Sequence, residues 1–404
     1  MENLLNSKEM RGLHATLDDG PDTSSLSDVF SKWEKLKGLE ATERMKLMLV
    51  WADTDKSRRL ATKLNQIVDE INAAENKEAM KRLRVLTFAR FVHQSNSIEG
   101  EGPRSLDGTT TIICDMLDRG DDPEQQTMGD RTHAENVKCV WNMYKLLVQT
   151  FKLKTLARTL PLQQYHKDLF AGDPPNSIRN CGVMSRAGHK YPHHNLVPGL
   201  LSHLQAMYPD FSTGLEGVVD PVERIIYAFA IAAFTHFHFV SIHPFVDGNG
   251  RLARIVSKLI LDAVLPAPFP FDNPRKYIET LSSAADQPGF HQPLGLFNYM
   301  LKEGHDYFVN ELGVKVRKLS DLINHPEKRR YVLPVSNERT LQEELNKEVE
   351  DDAVRTAVWP QLQLLFQDLR QKGSRRGEVQ TDNGVFIITR LTDTDGLGID
   401  FDDI

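Results

Sequence analysis

Apolar residues recur at spacings of three and four along most of this 404-residue chain, the periodicity of amphipathic helices. From about Ser27 to residue 98 the pattern runs through DVFSKWEKLKGL, ERMKLMLVWA, RRLATKLNQIVDEINAA and KEAMKRLRVLTFARFVHQ, and GEGPRSLDG breaks it. It returns in TTTIICDMLDRG, AENVKCVWNMYKLLVQTF and LPLQQYHKDLF. The next stretch, DPPNSIRNCGVMSRAGHKYPHHN, sets Pro, Gly and Asn around short apolar pieces and reads as a loop or small hairpin. DPVERIIYAFAIAAFTHFHFV then opens with a helix-start signal: Asp220 as N-cap, Pro221 at the first helical position and Glu223 at the third. Its apolar residues run almost all the way round, which predicts a central, buried helix.

Residues 276 to 310 are again helical in pattern. Beyond Pro326 come two helical stretches, ERTLQEELNKEVEDD and WPQLQLLFQDLRQKG, then a strand-like FIITRL and an acidic end. The first residues, with LDDGPDTSSLSD, are rich in turn formers and read as a mobile lead-in. No fixed-period repeat is present. The pattern therefore predicts a mainly α protein with a small β element, in four parts: a mobile segment 1–26, a helical region 27–129, a core domain 130–310, and an α/β extension 311–404 of unknown role.

Composition narrows the partners. Hydrophobic residues make up 40% and charged residues 26%, with a formal charge of -7, so no net basic field exists to hold nucleic acid or an anionic membrane. A polyanionic ligand must be met by a local basic site. Cys114, Cys139 and Cys181 are widely spaced and form no C-x-x-C pair, which argues against a disulfide framework or structural zinc and fits a reducing compartment. The N-terminus lacks the basic and apolar regions of a leader, and the most apolar stretch, Ile225 to Phe234, is half of the ~20 residues a membrane span needs. The expected location is soluble and cytoplasmic or nuclear.

The densest chemistry lies in HPFVDGNGRLAR, residues 243 to 254. Two glycines ahead of a helix let successive N–H groups point inward, and the helix start adds partial positive charge, a combination that cradles phosphate. Arg251, Arg254 and Lys258 fall within a ~60° sector of that helix, continuing the anion cradle, while Leu252, Val256, Leu259 and Ile260 lie toward the core. Asp247 offers an oxygen ligand for a Mg²⁺ ion bridging phosphates, and His243 has the pKa of a base at neutral pH. A base, a metal ligand, a phosphate nest and two arginines together point to transfer of a phosphate-containing group. His236 and His238 do not share a helix face with each other, so they form no joint metal site, and His236 reads as a packed histidine.

This stretch matches every specified position of the Fic family signature, H-x-F-x-[DE]-G-N-G-R-x-x-R. A looser resemblance runs from about residue 130 to 310: IRNCGVMSRAGHKYPHHNLVPGLL is similar to the family's flap and AAFTHFHFVSIHPF to its apolar helix. The resemblance implies a Fic-type helical bundle that moves AMP from ATP to a hydroxyl of a target protein, with ATP and Mg²⁺ as ligands. It implies His243 as base, Asp247 as metal ligand, Gly248, Asn249 and Gly250 as anion hole, and Arg251 and Arg254 on the phosphates. Phe245 becomes a buried anchor, and Tyr277 resembles a position near the adenine. The flap, Cys181 to His193, would dock the target through a β edge.

Upstream, SNSIEGEG resembles the family's inhibitory motif, [ST]-x-x-x-E-[GN], through Ser95, Glu99 and Gly100. The frame Ser97, Glu101, Gly102 also fits; the first is preferred because Ile98 continues the apolar face and Gly100 is placed to end the helix. Glu99 would then pair with Arg254 and withhold it from the ATP γ-phosphate. Two rival readings stand beside transfer: removal of AMP by the same site, and a nucleotide-responsive interaction module. Target protein, modified residue type and oligomeric state, a homo-oligomer included, stay open.

Overall fold

The computed structural model describes residues 24–119, 131–151, 159–170, 178–184, 191–285, 293–324, 330–335, 337–349, 351–372 and 376–390. The chain divides into two compact units, Met1–Val314 and Lys315–Ile404. Residues 1–23 of the expected lead-in, the tip of the flap and the acidic end fall outside the described residues; helix begins at Ser24, three residues ahead of the expected boundary, because Leu26 is buried.

Among its described residues the first unit is mainly helical: α1 (Ser24–Lys35), α2 (Ala41–Met48), α3 (Asp55–Asn72), α4 (Lys77–Glu99), α5 (Leu106–Arg119), α6 (Arg131–Phe151), α7 (Leu162–Leu169), α8 (Val197–Glu216), α9 (Pro221–Ile242), α10 (Asn249–Leu261), α11 (Pro274–Ala285) and α12 (Leu294–Tyr307). A short π-helical turn, Phe308–Leu312, joins α12 to α13 (Gly313–Asn324), and the boundary between the units falls after the second residue of α13, Val314. Helix α9 is the axis, packed by α3, α8, α10 and α12. Its start is as the sequence predicts: the Asp220 carboxylate accepts from the Val222 and Glu223 N–H groups. Glu223 does not reach back to close a capping box. It pairs instead with Lys46 of α2 and Arg58 of α3, tying these helices to the start of α9.

By length and hydropathy α9 as a whole passes for a membrane span, which the count over Ile225–Phe234 alone had not suggested; 89% of that apolar window is buried inside the fold. Phe229 and Phe234 are fully enclosed, and deleting such a ring costs about 3–5 kcal/mol. Gly304 on α12 is needed for the close approach, because a Cβ there would lie 2.9 Å from Phe229 Cζ.

Two buried histidines sit in this apolar axis. Burial pushes the His236 and His238 imidazoles down to about 3. An unfolded chain binds these protons near pH ~6.5. The stability held in the neutral rings is therefore complete above that pH and is lost as pH falls toward about 3, by up to about 1.4 kcal/mol per pH unit for each ring. Urea midpoints should drop steadily between about pH 6.5 and about pH 4. His238→Phe should remove about one proton's worth of that slope; an unchanged slope would show that the ring is charged in the fold.

The second unit holds a three-stranded sheet, β1 (Arg330–Val335), β2 (Arg376–Thr381) and β3 (Gly384–Arg390), with α14 (Glu338–Glu348) and α15 (Asp352–Lys372) between the first two strands. The order is β1-β3-β2, parallel for β1 with β3 and antiparallel for β2 with β3. Leu341, Leu345, Leu362, Phe366, Phe386 and Ile388 form its core. The β3 strand is the FIITRL stretch; β1 and β2 were not legible, since Pro334 and a strongly polar RGEVQT mask them.

Candidate active site

The signature residues lie at the end of α9, in the loop that follows it and at the start of α10. His243 ends α9 in the left-handed region (φ 50, ψ 60), the one non-glycine residue with positive φ among those described. Such a conformation costs of order 1 kcal/mol and persists where neighbours over-determine it. Here the neighbour is Arg179, a buried arginine whose Nε donates to His243 O at 2.7 Å while its Nη atoms donate to Cys181 O (2.8 Å) and to Pro192 O. Its own N–H donates to Pro244 O at 2.9 Å. One side chain thus holds the peptide of His243 and both ends of the flap segment. Tyr191 N–H donates to Val183 O at 3.4 Å, and the Tyr191 ring stacks on the His243 imidazole with centroids 3.8 Å apart. Residues 185–190 between them lie outside the described residues.

The turn that follows is locked from within. The Asn249 amide closes a ring on Phe245, accepting from its N–H (3.0 Å) and donating to its C=O (2.8 Å). Phe245 is fully buried and stacks at 3.9 Å on His166 of α7, whose Nε2 lies 3.0 Å from Asp247 O. That nitrogen faces a carbonyl oxygen and so donates to it, while burial lowers the His166 pKa. Gly248 takes the N-cap position with φ 80, where it offers no side-chain cap, and a Cβ there would strike Phe170 Cε2 at 2.6 Å. The first intrahelical bond of α10 begins at Leu252 N–H. The N–H groups of Asn249, Gly250 and Arg251 therefore open toward the mouth of the site, as an anion cradle requires.

The groups around this cradle arrive from four helices. Asp247, at 45% side-chain exposure, bonds Gly248 N–H through Oδ1 and stands 3.6 Å from Arg251 Nη2 through Oδ2. Arg251 is buried over the Phe170 ring at 4.9 Å, with Nη1 3.4 Å from Cys139 Sγ on α6. Arg254 is completely buried and almost fully engaged: Nε donates to Ser95 Oγ (2.7 Å), Nη2 to Ser95 O (2.8 Å) and Glu99 Oε1 (2.7 Å), and Nη1 to Tyr277 OH (3.4 Å).

The Glu99 carboxylate also overlies the cradle, because a Cβ added at Gly250 would collide with its Oε1. Its charge further helps to raise the Tyr191 phenol pKa, behind burial as the larger cause. The last turn of α4 thus brings Ser95 and Glu99 to the site and ends on Gly100 at φ 75. In the alternative frame Ser97 is exposed and Glu101 lies beyond the helix end.

One sequence expectation changes. The basic stripe does not continue along α10: Lys258 is buried, its Nζ 2.6 Å from Asp262 Oδ2 and 3.2 Å from Leu147 O. The reason is that α4, α6, α7 and α9 surround α10, leaving the stripe no solvent face. Tyr277, expected near an adenine, is buried with its hydroxyl between His236 and Arg254. Arg179 and His166 were missed. The signal for His166 was present, since Leu162, Tyr165, His166 and Leu169 share one face of α7; nothing local marks Arg179 as a clamp, because the carbonyls of His243 and Pro192 that make it one are distant in sequence.

A profile of the Fic/DOC family matches residues 158–261. A Fido domain-containing protein of Dictyostelium discoideum is 46% identical over 59 residues, 14% of this chain and 41% of that protein. The protein adenylyltransferase fic-1 of Caenorhabditis elegans is 24% identical over 230 residues, 56% of this chain and 42% of that protein. The chain thus spans about two fifths of the length of these curated relatives. A crystal structure of a Fic domain containing signaling protein from Bacteroides thetaiotaomicron superposes with a TM-score of 0.52 at 17% identity, covering 64% of this chain and 98% of that one, which shows a shared fold. With the signature turn, its cradle and the surrounding helices in place, residues 158–261 of this chain form a domain of the Fic/DOC family.

Proposed function

We propose that this protein is a self-inhibited adenylyltransferase that moves AMP from ATP to a side-chain hydroxyl of a target protein. The observation that carries the reading is the Glu99 carboxylate held on Arg254 and over Gly250, a carboxylate lying where phosphate oxygens would lie. The amides of residues 249–251 and Arg251 hold the phosphates, and Arg254 meets the γ-phosphate once Glu99 departs. His243 takes the proton of the target hydroxyl; its oxygen bonds to the α-phosphorus, the bond from that phosphorus to the bridging oxygen breaks, and pyrophosphate leaves. Asp247 suits Mg²⁺, since it is a half-exposed carboxylate beside the cradle, the donor this ion combines with phosphate oxygens. Bound there, the ion would neutralise phosphate charge.

The target would lie along the flap at 181–193, whose ends Arg179 fixes. Label from the α-phosphate of ATP, and not from the γ-phosphate, should appear on protein, and chelation of Mg²⁺ should stop it. Transfer of the γ-label would instead assign phosphoryl transfer. In a Glu99→Gly background, Arg179→Lys should lower transfer about 10- to 100-fold, the range for a small misplacement of reacting groups, with ATP affinity nearly unchanged. A parallel loss of ATP affinity would place Arg179 in nucleotide binding.

A second reading has its own support. Glu99 acts on Tyr191, which stacks on His243, so the carboxylate is in reach of water entering the same site. Release of AMP from a modified target, lost in Glu99→Gly, would make removal the physiological direction.

A further inference from the structure

We infer that His236 is a positioning residue that, through Tyr277, sets the orientation in which Arg254 presents its guanidinium to phosphate. The inference rests on the proposed function. It begins with what holds Arg254 once Glu99 is gone. Ser95 grips Nε and one proton of Nη2. The remaining anchor is the Tyr277 oxygen at Nη1. Departure of Glu99 then leaves one N–H on each Nη atom, a fork suited to two phosphate oxygens.

The Tyr277 oxygen can accept from Arg254 only if its own proton points elsewhere, and the hydrogen-bond directions show where. Ser257 Oγ has Ala253 O to donate to at 2.9 Å and the His236 ring 2.8 Å away; Tyr277 OH, which accepts from Arg254, has the ring's other nitrogen as acceptor for its own proton, so the ring donates to Ser257 and Ser257 to Ala253. His236 Nδ1 must therefore carry the proton and donate to Ser257. A neutral ring protonated at Nδ1 has Nε2 as a pure acceptor, and Tyr277 OH stands 2.7 Å from it. The chain of donors that satisfies every group then reads Arg254 to Tyr277 to His236 to Ser257 to Ala253.

Burial supports this protonation state, holding the His236 imidazole down at about 3 and the Tyr277 phenol up at about 12. The chain begins and ends on α10, with His236 from α9 and Tyr277 from α11 between. It thus determines Arg254 relative to the helix that carries the cradle. With His236 replaced by a residue unable to accept, the phenol proton would turn toward Arg254 and repel it.

The test has two arms. In the wild-type protein, ¹⁵N-detected NMR of His236 should show the neutral Nδ1–H tautomer from pH 5 to pH 8, and Tyr277→Phe should shift the Nε2 resonance. An Nε2–H tautomer, or a ring that titrates in this window, would overturn the inference whatever the activity. The second arm uses the Glu99→Gly protein and displacement of a fluorescent ATP analogue by ATP or ADP.

Tyr277→Phe and His236→Phe should each weaken ATP about tenfold and ADP by less than about threefold, as loss of a charged hydrogen bond at the γ-phosphate predicts. The double variant should be no worse than either single one, and His236→Gln, which retains an acceptor, should recover most of the loss. Equal losses for the two nucleotides, or additive losses, would overturn it. Tyr277→Phe removes a single oxygen and serves alone if His236→Phe does not fold. Failure of the Glu99→Gly protein to bind either nucleotide would remove the proposed function and the phosphate role with it, while the tautomer decides the hydrogen-bond chain separately.

Discussion

Transfer of labelled AMP should fall about 10²- to 10⁴-fold in His243→Ala, the contribution expected of a positioned general base. The residue sits in a strained left-handed conformation that Arg179 secures from behind and Tyr191 covers from one face. Six residues on, Asn249 pins Phe245, so the imidazole and the cradle belong to one rigid turn. His243 holds no phosphate in the proposed arrangement, and ATP affinity in the Glu99→Gly background should change little. That separates it from Arg254, whose loss should weaken both. Retention of more than about a tenth of the transfer rate in His243→Ala would mean that another group takes the proton.

Glu99→Gly should act in the opposite direction, raising auto-modification about 10- to 100-fold. The estimate follows from the ion pair it removes, since a hydrogen bond between charged groups contributes about 1.5–3 kcal/mol and each ~1.4 kcal/mol is a factor of ten. The same change clears the space above Gly250. Glu101→Gly should have no such effect, because Glu101 is exposed past the end of α4.

Stability should move against activity. Arg254 is fully buried, and removing its carboxylate partner leaves a donor unmet, a cost of about 1–3 kcal/mol. ATP with Mg²⁺ should return part of it, since a ligand that binds only the folded state stabilises it. Activation without a fall in melting temperature would mean that Glu99 does not hold Arg254 in solution; no activation at all would end the inhibition reading.

The amino-acid order determined what depends on neighbours along the chain. The helices follow from apolar residues three and four apart, and Asp220 with Pro221 marks the start of α9 because capping needs only N–H groups two and three residues ahead. Gly100 ends α4 for a similarly local reason, its freedom to take φ 75. The turn of residues 243–254 is legible because its glycines, Asn249 and Asp247 act on backbone within five residues.

Tertiary structure decided everything that depends on a partner far away. It buried the cationic stripe of α10, set the Lys258 ammonium on Leu147 O, moved the Tyr277 hydroxyl onto Arg254, and made Arg179 the clamp of the base-bearing peptide. A guanidinium or imidazole carries its donors at the end of a side chain long enough to cross between helices. Which acceptor it meets is set by helix packing, and periodicity along one helix holds no record of that.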